Sequence, residues 1–280
     1  MRDRLDKVLH GMGLVFSRSQ AENLIRLGKV TVNGSVETKS GRLVGPSDKI
    51  VLNATEQYVS RAGLKLASVA QIFKLDFRGK TVLDVGSSTG GFTDYALQHG
   101  AAKVVAVDVG TDQLHPSLRG DSRIELHERT DIRNIRLKSP TVIPTEAEGS
   151  EQKRSLASSL VTVTGIGDGG LVQNFKFQIL DSIPDIVVVD VSFISLRDVL
   201  PHVSSLMTHD SLLAAMVKPQ FEAGREQINK GVIKNDTIRR EILRNFEVWS
   251  ERYVVILNKA DSEVAGTKGN RERFYLMKIK

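Results

Sequence analysis

The sequence contains no cysteine among its 280 residues. This absence excludes a disulfide framework, a thiolate zinc site and a cysteine nucleophile, and it favours a reducing compartment. The six histidines show no spacing typical of metal ligands, so no metal is expected. No run approaches the roughly 18 apolar residues of a membrane-spanning helix, and the opening is charged where a signal peptide would become apolar. We therefore expect a soluble cytoplasmic protein with no membrane partner.

Positive charge is concentrated in the first part of the chain. The net charge is +6, but residues 1–80 hold 14 Lys and Arg against 7 Asp and Glu, which leaves 25 against 26 in the other 200 residues. A small basic module beside a near-neutral body indicates a polyanionic partner, because clustered cations displace counterions from phosphates. A solvated, lysine-rich face would give the same count. With 40% apolar residues, the chain can also bury a substantial core.

Residues 1–56 have the pattern of a small α+β module. Apolar residues fall at helical spacing in two runs, 5–9 and 21–25. Ser17 and Ser19 are candidates for the N-cap of the second helix. The Asn33-Gly34 pair between β-branched residues predicts a hairpin. A helix-turn-helix followed by a small curled sheet is too small for a large core and suits surface recognition.

From residue 80 onward, nearly continuous apolar runs alternate with helical patterns. Such runs predict strands buried on both faces of an open parallel sheet that helices cover. The body is therefore predicted to be a doubly wound, Rossmann-like α/β domain. Three of its strands end in aspartate, at the carboxyl edge where such sheets bind their ligands. The predicted strands are 81–84, 104–108, 186–190, 212–217, 253–257 and 274–277.

One stretch, at 139–178, does not fit this alternation. It is polar and glycine-rich, and it is longer than the helix and short loops that a compact fold needs there. We expect a flexible insertion. The run 164–170 superficially resembles a phosphate-binding loop, but the sequence shows no clear strand before it, so we interpret it as linker.

The strongest local motif is the glycine-rich turn after the first strand of the body. It lacks the Gly-x-Gly-x-x-Gly spacing of dinucleotide sites, and Asp84, two residues before its first glycine, would repel a pyrophosphate. Asp84 could instead accept hydrogen bonds from an ammonium group or a fixed water. Asp108 could accept both ribose hydroxyls of an adenosine, and Asp131 could accept from the adenine amino group. The predicted cofactor-binding residues are Asp84, Gly86, Ser87, Ser88, Thr89, Gly90, Gly91, Phe92, Asp108 and Asp131.

At the three aspartates the sequence resembles S-adenosylmethionine-dependent methyltransferases. The resemblance implies S-adenosyl-L-methionine as the cofactor and makes a dehydrogenase the weaker reading. Four further residues stand at the ends of elements around this site and are the candidate catalytic set: Lys65, Asp190, Lys218 and Glu272.

The Lys-Asp-Lys-Glu set resembles that of FtsJ-type ribose 2′-O-methyltransferases. The chain from Arg4 through 269–272 resembles the TlyA family, also called haemolysin A; its most specific stretches are 191–196 and 218–225. The resemblance implies an RNA-binding domain of the ribosomal protein S4 type at 1–56, a linker at 57–62 and an FtsJ-like methyltransferase domain at 63–280. The insertion is longer than the family leads us to expect.

In the implied reaction, a ribose 2′-hydroxyl attacks the cofactor's methyl carbon. Lys218 could act as a general base, or it could orient the hydroxyl and stabilise the developing oxyanion. Asp190 would hold Lys218 in place, while Lys65 and Glu272 would complete a network that positions the ribose. The basic residues expected to contact RNA are Arg4, Arg18, Lys29, Arg61 and Arg225.

The sequence thus predicts an S-adenosylmethionine-dependent 2′-O-methyltransferase that acts on ribosomal RNA or ribosomal subunits, with cytidine favoured by the resemblance alone. A pore-forming haemolysin is one alternative, although no amphipathic membrane hairpin supports it. A catalytically silent RNA-binding assembly factor is another. A small-molecule methyltransferase would leave the basic module unexplained.

Overall fold

The structure is a computed structural model that describes residues 2–15, 18–26, 28–53, 58–138, 160–166, 172–224, 228, 231–233, 235–266 and 269–280. The N-terminal module contains two helices and two small antiparallel sheets, with strand orders β1-β4 and β3-β2-β5. Its elements are β1 (Asp3–Arg4), α1 (Leu5–Gly11), α2 (Arg18–Arg26), β2 (Val30–Val32), β3 (Ser35–Glu37), β4 (Leu43–Val44) and β5 (Ile50–Leu52).

The predicted turns and helices of this module are largely present. Asn33 and Gly34 both have positive φ, at 54° and 84°, as a two-residue hairpin turn requires. Leu5, Leu9 and Leu24 are buried in one apolar cluster. Helix α2 begins at Arg18, so Ser19 lies inside the helix and the expectation that it supplies the N-cap is wrong. Ser17 lies outside the described residues.

The body is a seven-stranded sheet between two layers of helices. Its elements are α3 (Arg61–Ala70), β6 (Thr81–Val85), α4 (Gly91–Gln98), β7 (Lys103–Val107), β8 (Ile124–His127), a 3₁₀ turn (Ile132–Asn134), β9 (Ile135–Leu137), β10 (Leu160–Ile166), β11 (Val172–Leu180), β12 (Ile186–Val189), α5 (Leu196–Ser205), β13 (Leu212–Val217), α6 (Pro219–Glu222), α7 (Asp236–Ser250), β14 (Val254–Asp261) and β15 (Arg273–Ile279).

The sheet has the order β14-β15-β13-β12-β6-β7-β8. Strand β15 runs antiparallel to both of its neighbours, so the sheet is mixed and the expectation of a wholly parallel sheet is wrong. Strand β14 lies at the edge with Val255 and Leu257 exposed, which corrects the expectation that every strand is buried on both faces. The chain builds outward from β6 in both directions, so the carboxyl ends of β6 and β12 meet at a switch point, where such sheets bind ligands.

Two apolar layers cover the sheet. Helices α5 and α7 pack on one face, and α3 and α4 on the other. The buried faces of β6 and β13 alternate between these two cores, which explains why their sequences are apolar almost throughout.

The predicted insertion is described only in part. Strands β10 and β11 form an antiparallel hairpin, and residues 178–180 pair in parallel with β9. The expectation that no strand precedes the run 164–170 is therefore wrong, because β10 extends to Ile166. Residues 139–159 and 167–171 lie outside the described residues, so the flexibility of the insertion stays a prediction. Within the described part of the chain, no helix is long and apolar enough to cross a membrane.

Candidate active site

The glycine-rich turn joins β6 to α4 at the switch point. Gly86 has φ of +81°, and a Cβ there would lie 2.7 Å from the carbonyl oxygen of Asp190. At Gly91, the first residue of α4, a Cβ would lie 2.2 Å from Ser60 Oγ. Both positions therefore require glycine, because a Cβ there would collide with another segment of the same chain.

Asp84 lies beneath this turn and is fully buried. Its Oδ2 accepts a hydrogen bond of 2.6 Å from Thr93 Oγ1, while its Oδ1 has no partner among the described residues. The buried hydroxyl of Ser87 is likewise unpartnered within the described chain. Burial raises the pKa of Asp84 to about 7, with the Thr93 hydrogen bond opposing that rise and Asp190 adding to it. A buried acceptor without a donor suits the ammonium group of a ligand.

A cavity of about 330 Å³ holds the other two predicted cofactor aspartates. Asp108 Oδ2 accepts from Ser88 N at 2.8 Å, and its Oδ1 accepts from Gly110 N at 2.7 Å. Each oxygen retains a lone pair for a ribose hydroxyl. Val109 and Ile132 supply apolar walls.

Asp131 lines the same cavity but already holds Arg133. Its Oδ1 accepts from Arg133 N and Nε, both at 2.9 Å, and its Oδ2 accepts from Arg133 Nη2 at 2.6 Å. These bonds to Arg133 lower the pKa of Asp131 and keep it a charged acceptor. The structure therefore leaves it able to face an adenine amino group, although much of its hydrogen-bonding capacity is already used.

The four predicted catalytic residues line a second cavity of about 610 Å³, next to the first. The Lys65 ammonium pairs with Glu272 Oε2, and Lys218 Nζ lies 2.5 Å from Asp190 Oδ1. Lys218 Nζ also donates to Ser192 Oγ at 2.6 Å. Lys65 lies on α3, Glu272 immediately precedes β15, and Asp190 and Lys218 immediately follow β12 and β13. The two ion pairs therefore face one space.

The cofactor residues divide between the two cavities. The larger is also lined by Asp84, Gly86, Ser87, Ser88, Thr89 and Phe92, and the smaller by Gly86, Ser88, Asp108 and Asp131. Gly90 and Gly91 line neither, and act by allowing the chain to turn. Asp84 offers an acceptor for an ammonium group, the glycine-rich turn allows a ligand to approach closely, and Asp108 offers an acceptor for a ribose. These three features together fit S-adenosylmethionine.

Sequence reasoning missed several residues that complete the site. Glu222 ties the loop after β12 to the segment after β13, because its Oε1 accepts from Leu196 N and its Oε2 from Ser195 Oγ, both at 2.6 Å. Burial raises the pKa of Glu222. Phe193 is 92% exposed, has φ of +66° and lies against Phe221. No spacing rule indicates such contacts, because their partners meet only through the sheet order.

The backbone around Glu272 is held by contacts from the end of β14 and from α7. Ser262 N donates to its carbonyl oxygen at 3.0 Å. On either side of it, Arg239 Nε donates to the carbonyl oxygen of Arg271 at 3.0 Å, and Arg273 Nε donates to Asp261 Oδ1 at 2.6 Å. The backbone that carries Glu272 is therefore fixed at several points.

The structure separates the predicted RNA-binding residues. Arg4 Nε and Arg18 Nη2 both donate to the buried carboxylate of Asp6, at 2.9 and 2.8 Å, while about half of each arginine side chain stays exposed. Lys29 is exposed in the same module. Arg61 lines the larger cavity. Arg225 lies outside the described residues.

Comparison with known proteins gives the family. The family model for FtsJ-like methyltransferases matches residues 58–279, and the model for the S4 domain matches residues 3–50. Hemolysin A from Brachyspira hyodysenteriae is 33% identical over 271 residues, which are 96% of this chain and 97% of that protein. The chain belongs to the TlyA, or hemolysin A, family of FtsJ-like methyltransferases.

Other members of the TlyA family are similar over most of the chain. The 16S/23S rRNA (cytidine-2′-O)-methyltransferase TlyA of Mycobacterium tuberculosis is 35% identical over 237 residues, covering 84% of this chain and 74% of that protein. A solved structure from Streptococcus thermophilus, described as a hemolysin, is 30% identical with a TM-score of 0.64, and covers 100% of this chain and 89% of that one. The predicted Rossmann-like fold, S4-type module and S-adenosylmethionine cofactor are confirmed for this TlyA-family chain.

Proposed function

We propose that this chain transfers a methyl group from S-adenosylmethionine to the ribose 2′-hydroxyl of a cytidine in ribosomal RNA. The observation that carries the proposal is the pair of ion pairs, Lys65–Glu272 and Lys218–Asp190, at one cavity beside the cofactor residues. The name of the M. tuberculosis relative supplies the nucleoside and the RNA class. The cytoplasm, where ribosomal RNA would be reached, is the proposed location.

In this proposal Lys218 orients the attacking oxygen. An ammonium group has three N–H donors. Lys218 forms an ion pair with Asp190 and donates a hydrogen bond to Ser192, so at least one N–H remains for the ribose oxygen. Because Lys218 acts as a donor in this geometry, we favour the orienting role over the general-base role. The hydroxyl proton would then pass to solvent as the new C–O bond forms and the C–S bond breaks, and the demethylated cofactor would leave as a neutral thioether. Lys65, held by Glu272, adds a second positive charge near the oxygen on which negative charge develops.

The bound cofactor supplies an electrophilic methyl group. The protein holds the ribose in line with that group, and such positioning accounts for much of the rate of a two-reactant displacement. Burial of both lysines to 8% exposure limits competition from water for their donors.

The basic module is proposed to bring the RNA to this cavity. In the S4-type module, Arg4, Arg18 and Lys29 would contact phosphates of the RNA. Arg61 would contact the RNA where it enters the larger cavity. From the sequence, Arg225 is proposed as a fifth residue that contacts the RNA. Comparing methylation of naked RNA with that of assembled subunits identifies which of the two is the substrate.

The test is methyl transfer from labelled S-adenosylmethionine to ribosomal subunits and to naked ribosomal RNA, followed by nucleoside analysis. We expect 2′-O-methylcytidine with wild type, and a loss of roughly 100-fold or more with Lys218→Ala. Exposed Lys74→Ala is the matched control and should act like wild type. Cofactor binding without transfer to any RNA would instead support the silent assembly factor. Leakage of purified liposomes would support a haemolysin.

A further inference from the structure

Gln220 is a polar residue of the larger cavity that the proposed chemistry does not use. It lies on α6, two residues after Lys218, and lines the same cavity as the two ion pairs. Its carbonyl oxygen Oε1 is buried and accepts no hydrogen bond from the described residues. A buried, unpaired carbonyl is unfavourable and calls for a partner. The Gln220 side chain as a whole is only partly buried and lines the cavity, so a rotation of its amide would bring Oε1 to a ligand group that donates a hydrogen bond.

The sheet order decides which ligand reaches Gln220. The cofactor residues stand on β6 and towards β7 and β8, where Asp84, Asp108 and Asp131 follow one another. Gln220 follows β13, which is two strands from β6 in the opposite direction, or about 10 Å. Lys218 and Gln220 both follow β13, so both stand on the side of β6 away from the ribose and adenine acceptors. In the proposed reaction the target nucleotide would occupy that side, because its hydroxyl would meet Lys218.

The covalent structure of the nucleotide also favours a contact between Gln220 and the base. The ribose 2′-hydroxyl meets Lys218, and the base is attached to the adjacent carbon of the same sugar. A residue two positions beyond Lys218, on the wall of the same cavity, would therefore face the edge of that base. An amide carbonyl accepts hydrogen bonds, so it recognises a base that presents an amino group there.

We infer that Gln220 is a specificity-determining residue whose side-chain carbonyl accepts a hydrogen bond from the exocyclic amino group of the target cytosine. The inference rests on the proposed function and adds to it how this chain selects the base. A base without that amino group leaves the buried carbonyl unpaired, which lowers the rate of its methylation.

The experiment changes only the amino group. Wild type first locates the modified position, and ribosomal RNA is then assembled by ligation with either cytidine or pyrimidin-2-one ribonucleoside there. Single-turnover rates are compared for wild type, Gln220→Met and Gln71→Met, an exposed glutamine at the end of α3 that serves as the control. Binding of S-adenosylmethionine is measured for each protein.

We expect wild type and Gln71→Met to methylate the pyrimidinone RNA roughly 5- to 100-fold more slowly than the cytidine RNA, the range for an unpaired buried acceptor. In Gln220→Met the two rates should agree within about twofold, with unchanged cofactor affinity. Equal rates in wild type would overturn the inference even if the variant did not fold. Full discrimination by Gln220→Met, or a loss confined to cofactor affinity, would also overturn it.

The proposed function fails separately. If wild type transfers no methyl group to the cytidine RNA, the function is wrong and the inference falls with it. Transfer to the ribose of both RNAs at one rate leaves the function in place and removes the role of Gln220 alone.

Discussion

We expect Asp84 to make cofactor binding depend on pH. Burial raises the pKa of its carboxyl group to about 7 in the free protein, so about half of the molecules carry the protonated acid at neutral pH. The unpartnered Oδ1 is the acceptor proposed for the cofactor's ammonium group, which favours the ionised form. Binding therefore displaces the proton whenever the pH lies below about 7.

The size of the effect follows from the pKa. Apparent affinity falls in proportion to the ionised fraction of Asp84, so the Kd for S-adenosylmethionine should be roughly tenfold higher at pH 6 than at pH 8. Asp84→Asn has no charge to lose, and its weaker binding should not show this extra dependence. Titration calorimetry in buffers of different ionisation enthalpy would count the released proton, close to one per cofactor at pH 6. Parallel pH profiles for wild type and variant would refute the reasoning, because any titration of the ligand itself is common to both.

The same group affects stability without cofactor. Because the folded pKa is raised above the unfolded value of 3.8, stability from this group is fully present below pH 3.8 and is lost as the pH rises through about 7. The whole loss is roughly 4 kcal/mol, of which about 1.4 kcal/mol falls between pH 6 and pH 8. In urea unfolding, the free energy of unfolding of Asp84→Asn should therefore rise by about 1.4 kcal/mol relative to that of wild type between pH 6 and pH 8. A constant difference between the two proteins would contradict the assigned burial.

Three further substitutions test separate parts of the molecule. Asp6→Asn removes one negative charge but also removes the carboxylate that holds Arg4 and Arg18, so RNA affinity in a filter-binding assay should fall by about threefold or more. Tighter binding would show that only net charge matters. Gly91→Ala places a Cβ 2.2 Å from Ser60 Oγ and should lower the free energy of unfolding, measured in urea, by about 1–3 kcal/mol. Gly120→Ala, whose Cβ meets no atom within 4 Å, should leave that free energy nearly unchanged. Glu222→Ala should lower kcat by about tenfold with cofactor Kd unchanged and Glu222→Gln should restore part of it, whereas equal loss in both variants would exclude its role in positioning the two loops.

The fold could be predicted where the pattern is local. The alternating apolar runs gave β6, β7, β12 and β13, and Asn33-Gly34 gave the hairpin turn. The direction of β15 could not be predicted, since a buried strand has the same composition in either orientation. Strand β8 was missed because its sequence, Ile-Glu-Leu-His, is amphipathic and short.

In the candidate site, the sequence predicts which residues are present but not what surrounds each of them. Asp84 is the penultimate residue of β6, and Asp108 and Asp190 directly follow the neighbouring strands β7 and β12. The three are equivalent in sequence pattern, yet each has different surroundings. Asp84 is buried with no cationic partner among the described residues, Asp108 accepts from two backbone N–H groups, and Asp190 is paired with Lys218. Their charges also act on one another, because Asp190 and Asp108 both raise the pKa of Asp84. Spacing along the chain therefore predicts which carboxylates reach the edge of the sheet, whereas burial and the partners brought by other strands decide whether each binds a cation, a hydroxyl or a lysine.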